Sequence, residues 1–423
     1  MADRTIIMHI ATDLSTGSHL PSQATSSRHR FALTLVISLF FAWGLTYGLL
    51  DILNKHFQQT LSVSRMESAL LQTCYFGAYL LVAVPSGLFV SRYGYRRGIL
   101  LGLILFATGA LLFIPATALA RFGPFLFALF VLASGAACLE TAANPYVTVL
   151  GDSGGGARRL NLAQAFTGLG AFVGPIIGGL FFFQHGTSFM NNASSVRITY
   201  VVIAAVVLLL ALAFWLTKLP EADLLDERVE GAATTRPLWR EARFMASVAA
   251  QFFYFSAQVG IAAFFINYAT EHWPGLPVHS AAFMLSAGMA SFTIGRFASI
   301  SIMRKVEPAN LLSIYAVICL ALCAIVVVGI PTVSVIAMIA IFFFESIMFP
   351  TIFALGVEDL GLRTRKAASF QVMALFGGAV APLVMGAVAD RVNIASAYLV
   401  PVVCFAIVLA FAIYSRRRIS NRG

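Results

Sequence analysis

The sequence predicts an all-α membrane protein of twelve spanning helices, arranged as two pseudo-symmetric six-helix halves around a central cavity. Three observations predict it. Of 423 residues, 59% are hydrophobic and 11% are charged, where a soluble domain carries about a quarter charged residues. Apolar runs of roughly the 20 residues that a bilayer-spanning helix needs recur along the whole chain. The first six runs and the last six also share Glu, Gln, Pro and Gly at constant offsets.

Taken between charged or turn-forming breaks, the runs cover 31–53, 66–91, 98–119, 123–149, 158–183, 198–217, 243–269, 278–302, 309–330, 332–356, 366–389 and 395–415. The stretch 1–30 lacks the unbroken apolar region of a secretory signal and is expected to be a disordered cytoplasmic tail. Residues 31–217 form the N-terminal half, 218–242 a polar cytoplasmic linker, 243–415 the C-terminal half and 416–423 a basic cytoplasmic tail. The linker reads as a plain connection between halves rather than a regulatory element.

The formal charge of +10 would suggest a nucleic-acid partner in a soluble protein. Its distribution explains it otherwise. The connections on the far side from the amino terminus hold only Lys55, Arg65, Arg121, Arg197 and Arg391, and the opposite face receives the remaining 23 of 28 basic residues. By the positive-inside rule both termini are cytoplasmic. Cys74, Cys138, Cys319, Cys323 and Cys404 all fall inside apolar runs, which argues against a disulfide framework or a metal site. No nucleophile motif or phosphate loop points to an enzyme, and no cofactor is expected.

The internal match is ordered. Glu140, Pro145, Leu150 and Gly151 of the fourth run stand 205 residues before Glu345, Pro350, Leu355 and Gly356 of the tenth. Gln164, Gly170, Pro175 and Gly179 of the fifth stand 207 residues before Gln371, Gly377, Pro382 and Gly386 of the eleventh. Such duplication implies a pseudo-two-fold axis along the membrane normal, with substrate bound between the halves near the midplane.

Of 18 acidic residues, only Asp51, Glu140 and Glu345 lie well inside apolar runs. A charged carboxylate at a helix centre costs about 2.5–3.5 kcal/mol on insertion scales, so such residues normally face a wet cavity and exchange protons, or stay neutral and hydrogen-bonded between helices. Amides and hydroxyls recur beside them: Asn144, Asn161, Gln164 and Thr167 in one half, Gln251, Gln258, Asn267 and Gln371 in the other. Gln251 and Gln258 share a face of the seventh run with Tyr254 between them. Adjacent sugar hydroxyls are read by amides and carboxylates, with aromatic faces against the ring; amides also bond helices together.

The segment from Gly87 through Ser91, Arg92 and Gly94 to Arg97 resembles the signature between the second and third helices of the major facilitator superfamily, with Ser91 in place of the usual Asp. CLETAANPYVTVLG (Cys138 to Gly151), RLNLAQAF (Arg159 to Phe166), the Tyr75–Phe76–Gly77 triplet, FPTIFALG (Phe349 to Gly356) and the Asp51–Ile52–Leu53 segment resemble its fucose permease branch, the fucose/galactose/glucose:proton symporters. The likeness runs from about residue 40 to residue 390. It implies the twelve-helix major facilitator fold and import of a monosaccharide with a proton by alternating access. The family's two key carboxylates fall on Asp51 and Glu140 and its sugar-facing glutamine on Gln164. Leu50 and Thr167 stand where the family usually has Asn, and Glu345 is an acid that the family lacks.

The expectation is therefore a proton-coupled symporter in the cell inner membrane, working as a monomer on a hexose or deoxyhexose. Proton coupling is assigned to Asp51 and Glu140. Substrate binding is assigned to Glu140, Gln164, Thr167, Asn161, Tyr75, Gln251, Tyr254, Gln258, Asn267 and Glu345. The alternative is a proton-linked exporter of a sugar or drug.

Overall fold

The computed structural model describes residues 33–48, 70–119, 121–150, 155–182, 189–217 and 237–420. Asp51, Leu50, the 1–30 tail, Lys55, Arg65 and most of the linker lie outside these residues. The described chain forms twelve apolar helical segments: α1 (Leu33–Gly48), α2 (Leu70–Tyr93), α3 (Tyr95–Leu119), α4 (Phe122–Val149), α5 (Gly156–Phe182), α6 (Phe189–Leu216), α7 (Ala242–His272), α8 (Val278–Ile302), α9 (Pro308–Val328), α10 (Val333–Val357), α11 (Thr364–Arg391) and α12 (Ile394–Arg417).

Eleven of the twelve fall within a few residues of the apolar runs. The sixth differs: it begins at Phe189, nine residues before the run, through the polar Asn191–Asn192 segment. The apolar stretch marked only the part that matches a bilayer, while backbone hydrogen bonding carries a helix beyond it. At the other end of the chain, helix continues to Ser420 through Arg416, Arg417 and Arg418, so the expected basic tail begins as helix.

Packing repeats between the halves. In the first, α3 packs on α4 and α6, and α2 on α4; in the second, α9 packs on α10 and α12, and α8 on α10. The contacts across the halves obey the same shift of six helices: α2 meets α11 and α5 meets α8, while α5 meets α10 and α4 meets α11. The two-fold relation expected from the sequence repeat is thus present in the packing.

The cross-half contacts form a seal at the end that carries the α2–α3, α4–α5 and α10–α11 connections. Asn161 Nδ2 on α5 donates to Thr351 Oγ1 on α10 at 3.1 Å. The Arg365 guanidinium lies 4.7 Å from the centre of the Tyr95 ring, a cation–π arrangement between α11 and α3. In the second half Arg243 pairs with Glu358 and, at 3.7 Å, with Asp359. Arg363 bonds Glu241 at 3.1 Å.

The signature segment makes the tight α2–α3 corner. Gly94 has φ of 88°, a left-handed conformation that a side chain would strain. Ser91 Oγ donates to the Leu88 carbonyl of its own helix at 2.8 Å rather than reaching another helix. Arg96 ties the corner to α6, donating to the carbonyls of Phe214 and Trp215 at its last turn, where orphan carbonyls need donors.

Proline shapes α10. The backbone of Pro350 has no N–H to give the carbonyl four residues back, that of Ser346. The helix opens at Ser346 and Ile347, between the Val333–Glu345 and Met348–Val357 segments. α11 loosens similarly into a 3-10 turn at Ala374–Phe376, between Thr364–Met373 and Gly377–Arg391.

Close approach of α3 and α4 depends on Gly135: a Cβ there would lie 2.3 Å from the Phe106 backbone nitrogen. Backbone cannot swing aside as a side-chain tip can. We expect Gly135→Val to lower stability by about 1–3 kcal/mol, the usual cost of overpacking, seen as a lower melting temperature in detergent. Gly123→Val, with open space at its Cβ, should leave the melting temperature unchanged.

Candidate functional site

A cavity lies between the halves, beyond the seal. Its wall is formed largely by rings: Trp43 and Tyr47 from α1, Tyr75, Phe76 and Tyr79 from α2, Phe255 from α7, Phe292 from α8 and Phe349 from α10. Polar groups punctuate them: Glu140, Gln164, Thr167, Gln258 and Arg296. The Phe76 and Phe255 rings meet edge to face at 5.5 Å across the halves. The Tyr75 and Tyr79 hydroxyls lie 3.3 Å apart, and both tyrosines feel the charge of Glu140.

Glu140 sits on α4 with 4% of its surface exposed, and its Oε2 has no hydrogen-bond partner among the described residues. The acceptor is therefore available to a ligand, or to a proton. Gln164 is held from two sides. Its Nε2 donates to Asn144 Oδ1 at 3.2 Å, and Arg296 Nη1 donates to its backbone carbonyl and, at 3.5 Å, reaches its Oε1. Thr167, one turn further, lines the cavity, and its Oγ1 has no hydrogen-bond partner among the described residues.

The sequence reading leaves Arg296 out of the site and counts it with the cytoplasmic charges; the structure buries it between the halves instead. Arg296 is 5% exposed on α8, and its Nε donates at 2.7 Å to the Ser346 carbonyl, the carbonyl that Pro350 leaves free. The guanidinium stacks on Phe292 with its carbon 4.5 Å from the ring centre. The same side chain thus bonds α10 in its own half and α5 in the other. A signal was available: an arginine inside an apolar run is as costly as an acid, but six residues from the end of the run it read as a boundary residue.

Of the other residues expected to bind substrate, Tyr75 and Gln258 line the cavity. Asn161 does not: its Nδ2 serves the seal, donating to Thr351 and to the Ala157 carbonyl. Gln251 and Tyr254 are wholly buried within the second half, with the Gln251 amide and the Tyr254 hydroxyl lacking partners among the described residues. Asn267 is exposed on α7, away from the cavity wall. Glu345 is fully buried behind the wall, and neither carboxyl oxygen has a hydrogen-bond partner among the described residues. Gln371 donates to Ser247 Oγ and so joins α11 to α7. The rings Trp43, Tyr47, Tyr79 and Phe292 were not singled out in the sequence, because with 13% aromatic residues nothing local separates a ring facing the cavity from one facing lipid.

Comparison with known proteins agrees with this architecture. The chain is 35% identical over 412 residues to a glucose/galactose transporter of Brucella abortus, covering 96% of this chain and 99% of that protein. It is 36% identical over 409 residues to the L-fucose-proton symporter of Escherichia coli K12, covering 92% and 93% respectively. The crystal structure of the transporter FucP in the outward conformation superposes with a TM-score of 0.82 at 36% identity, over 92% of this chain and 99% of that one. The profile of the Major Facilitator Superfamily matches residues 32–370. On fold, on span pattern and on relatives alike, the chain belongs to the Major Facilitator Superfamily.

Proposed function

We propose that the protein is a proton-coupled symporter that imports a monosaccharide of the glucose, galactose or fucose kind by alternating access. The observation that carries this reading is the composition of the cavity. Aromatic rings offer flat apolar faces to the C–H side of a sugar, while Glu140, Gln164, Thr167 and Gln258 present acceptors and donors between them. A wall with one arginine and one carboxylate suits a neutral, hydroxyl-rich solute better than an ion. The relatives named for glucose, galactose and L-fucose with a proton favour the same class.

The seal and the charge bias together support one state. Basic residues gather on the side of the α2–α3 and α10–α11 connections, which the positive-inside rule assigns to the cytoplasm. The seal lies there, so the cavity belongs to the outward-facing state of a protein in the cell inner membrane with both termini cytoplasmic. A monomer suffices, because both halves that line the cavity belong to one chain.

In the mechanism, sugar enters between the rings and its hydroxyls bond Glu140 and the amides. A carboxyl group out of water is most stable when neutral, so a proton on Glu140 accompanies the sugar. Asp51, outside the described residues, is proposed to carry a second function in coupling, from its place in an apolar run. Switching requires the bonds of the seal to break: Asn161 to Thr351, Arg296 to Gln164, and Arg365 over Tyr95.

Sugar uptake into proteoliposomes with an imposed pH gradient, over a panel of D-glucose, D-galactose and L-fucose, tests the reading. Acid-outside accumulation of at least one sugar is expected, and gradient-insensitive equilibration of all three would refute it. Glu140→Gln should weaken sugar binding up to about ten-fold, the loss of a neutral hydrogen-bond partner at about 0.5–1.5 kcal/mol, and flatten its pH dependence. Asp51→Asn should abolish uphill accumulation while leaving sugar exchange. Gln258→Ala should raise KM up to about ten-fold, the value of one hydrogen bond, whereas Asn267→Ala should leave transport kinetics unchanged.

A further inference from the structure

Arg296 is a positive charge in a membrane interior with two acids in its field. It interacts electrostatically with Glu140 of α4 and with Glu345 of α10, and forms a direct ion pair with neither. Its hydrogen bonds go to the carbonyls of Gln164 and Ser346 instead. A carbonyl dipole cannot neutralise a guanidinium, so the compensating charge must come from a carboxylate nearby. There are two carboxyl groups and one cation, and charge balance is met when one acid is ionised and the other carries a proton.

Glu345 has the surroundings such a role needs. It is fully buried, with both oxygens unpartnered among the described residues, so no hydrogen bond commits it to structural glue between helices. The titratable and charged groups that face it from the packed helices are Arg296 on α8, Tyr254 on α7, and Cys319 and Cys323 on α9. Only Arg296 among these carries a charge at neutral pH. Glu345 also stands next to Ser346, whose carbonyl holds Arg296, so the acid and the anchor of the cation share one turn of α10. Glu140 faces the same cation from the opposite half.

We propose that Glu345 is a second proton site of this transporter, sharing one proton with Glu140 around Arg296, so that the acid without the proton balances the arginine. The inference rests on the reading of Glu140 as the proton-linked sugar ligand. When Glu140 takes a proton with the sugar, Glu345 is the carboxylate that keeps Arg296 neutralised within its own half. When Glu140 releases the proton, it takes over that charge and Glu345 is protonated. In each cycle Glu140 takes its proton from the outside with the sugar while Glu345 gives one up toward the cytoplasm, and after sugar release the proton of Glu140 passes to Glu345, so that one proton enters per sugar and the cluster stays neutral. Glu345 is then a charge-balancing residue rather than a sugar contact, in accord with its place behind the cavity wall.

The test is the pH profile of sugar exchange in proteoliposomes with no gradient, using whichever sugar of the three-member panel the native protein takes up best. Glu345→Gln removes one of the two counter-charges and leaves Arg296 to hold Glu140 as a carboxylate. The midpoint of the profile should move toward acid by about one pH unit or more, a ten-fold higher proton concentration. Adding Arg296→Gln to Glu345→Gln should reverse the displacement. An unchanged midpoint in Glu345→Gln, with Glu140→Gln flat as expected, overturns the role of Glu345 and leaves the reading of Glu140 standing. A profile that survives Glu140→Gln overturns both. A measurement that needs no change at Glu345 guards against misfolding: with Asp51→Asn added to Glu140→Gln, infrared difference spectra between acid and alkaline pH should show a buried carboxyl band that Glu345 gains and loses. No such band would also refute the proposal.

Discussion

The guanidinium of Arg296 constrains the centre of this protein more than any other group. A charge in a low-dielectric interior demands hydrogen bonds for its N–H groups and opposite charge within reach. The first demand is met by two carbonyls, each made accessible by a local feature: the Ser346 carbonyl by Pro350, and the Gln164 carbonyl by its position where α5 crosses α8. The second is met by two buried acids from different halves. Cross-half bonding and the placing of Gln164 in the cavity follow from satisfying one side chain, which uses the carbonyl that the break at Pro350 leaves free.

The same logic explains why the halves can part. The seal includes a few separate polar contacts: an amide to a hydroxyl, a guanidinium to one carbonyl and a cation over a ring. Each is worth about 0.5–3 kcal/mol net. Within a half, by contrast, helices meet along their length, as α3 and α4 do at Gly135, where a backbone-to-backbone approach leaves no slack. Rigid halves joined by few and modest bonds are what a rocking motion requires, because the bonds broken on one side are replaceable by similar ones on the other.

The cavity and the interior behind it divide the chemistry. Rings and hydroxyl-reading groups form the wall, whereas Glu345, Gln251 and Tyr254 lie in the second layer with polar atoms left unpartnered among the described residues. Unpartnered polar groups so deep in a membrane protein are costly. Glu345 and Tyr254 lie in the field of Arg296, which ties that cost to the charge the transporter has to manage as its cavity changes sides.

The sequence by itself determined the helices, the ends of eleven of the twelve described ones to within a few residues, the repeat, and the buried acids Glu140 and Glu345, because these depend on local hydropathy and on the rarity of charge in a bilayer. It also marked Glu140, Gln164, Thr167, Tyr75 and Gln258, all of which reach the cavity. The tertiary structure alone decided that Asn161 belongs to the seal, that Asn267 faces outward, that Gln251 and Tyr254 lie behind the wall, and that Arg296 is buried rather than at a membrane face. The physical reason is that lipid and protein core are equally apolar. In a soluble helix the polar stripe marks the face turned to water; in these helices both faces look alike, and only the packing of one helix against another shows which side chains meet.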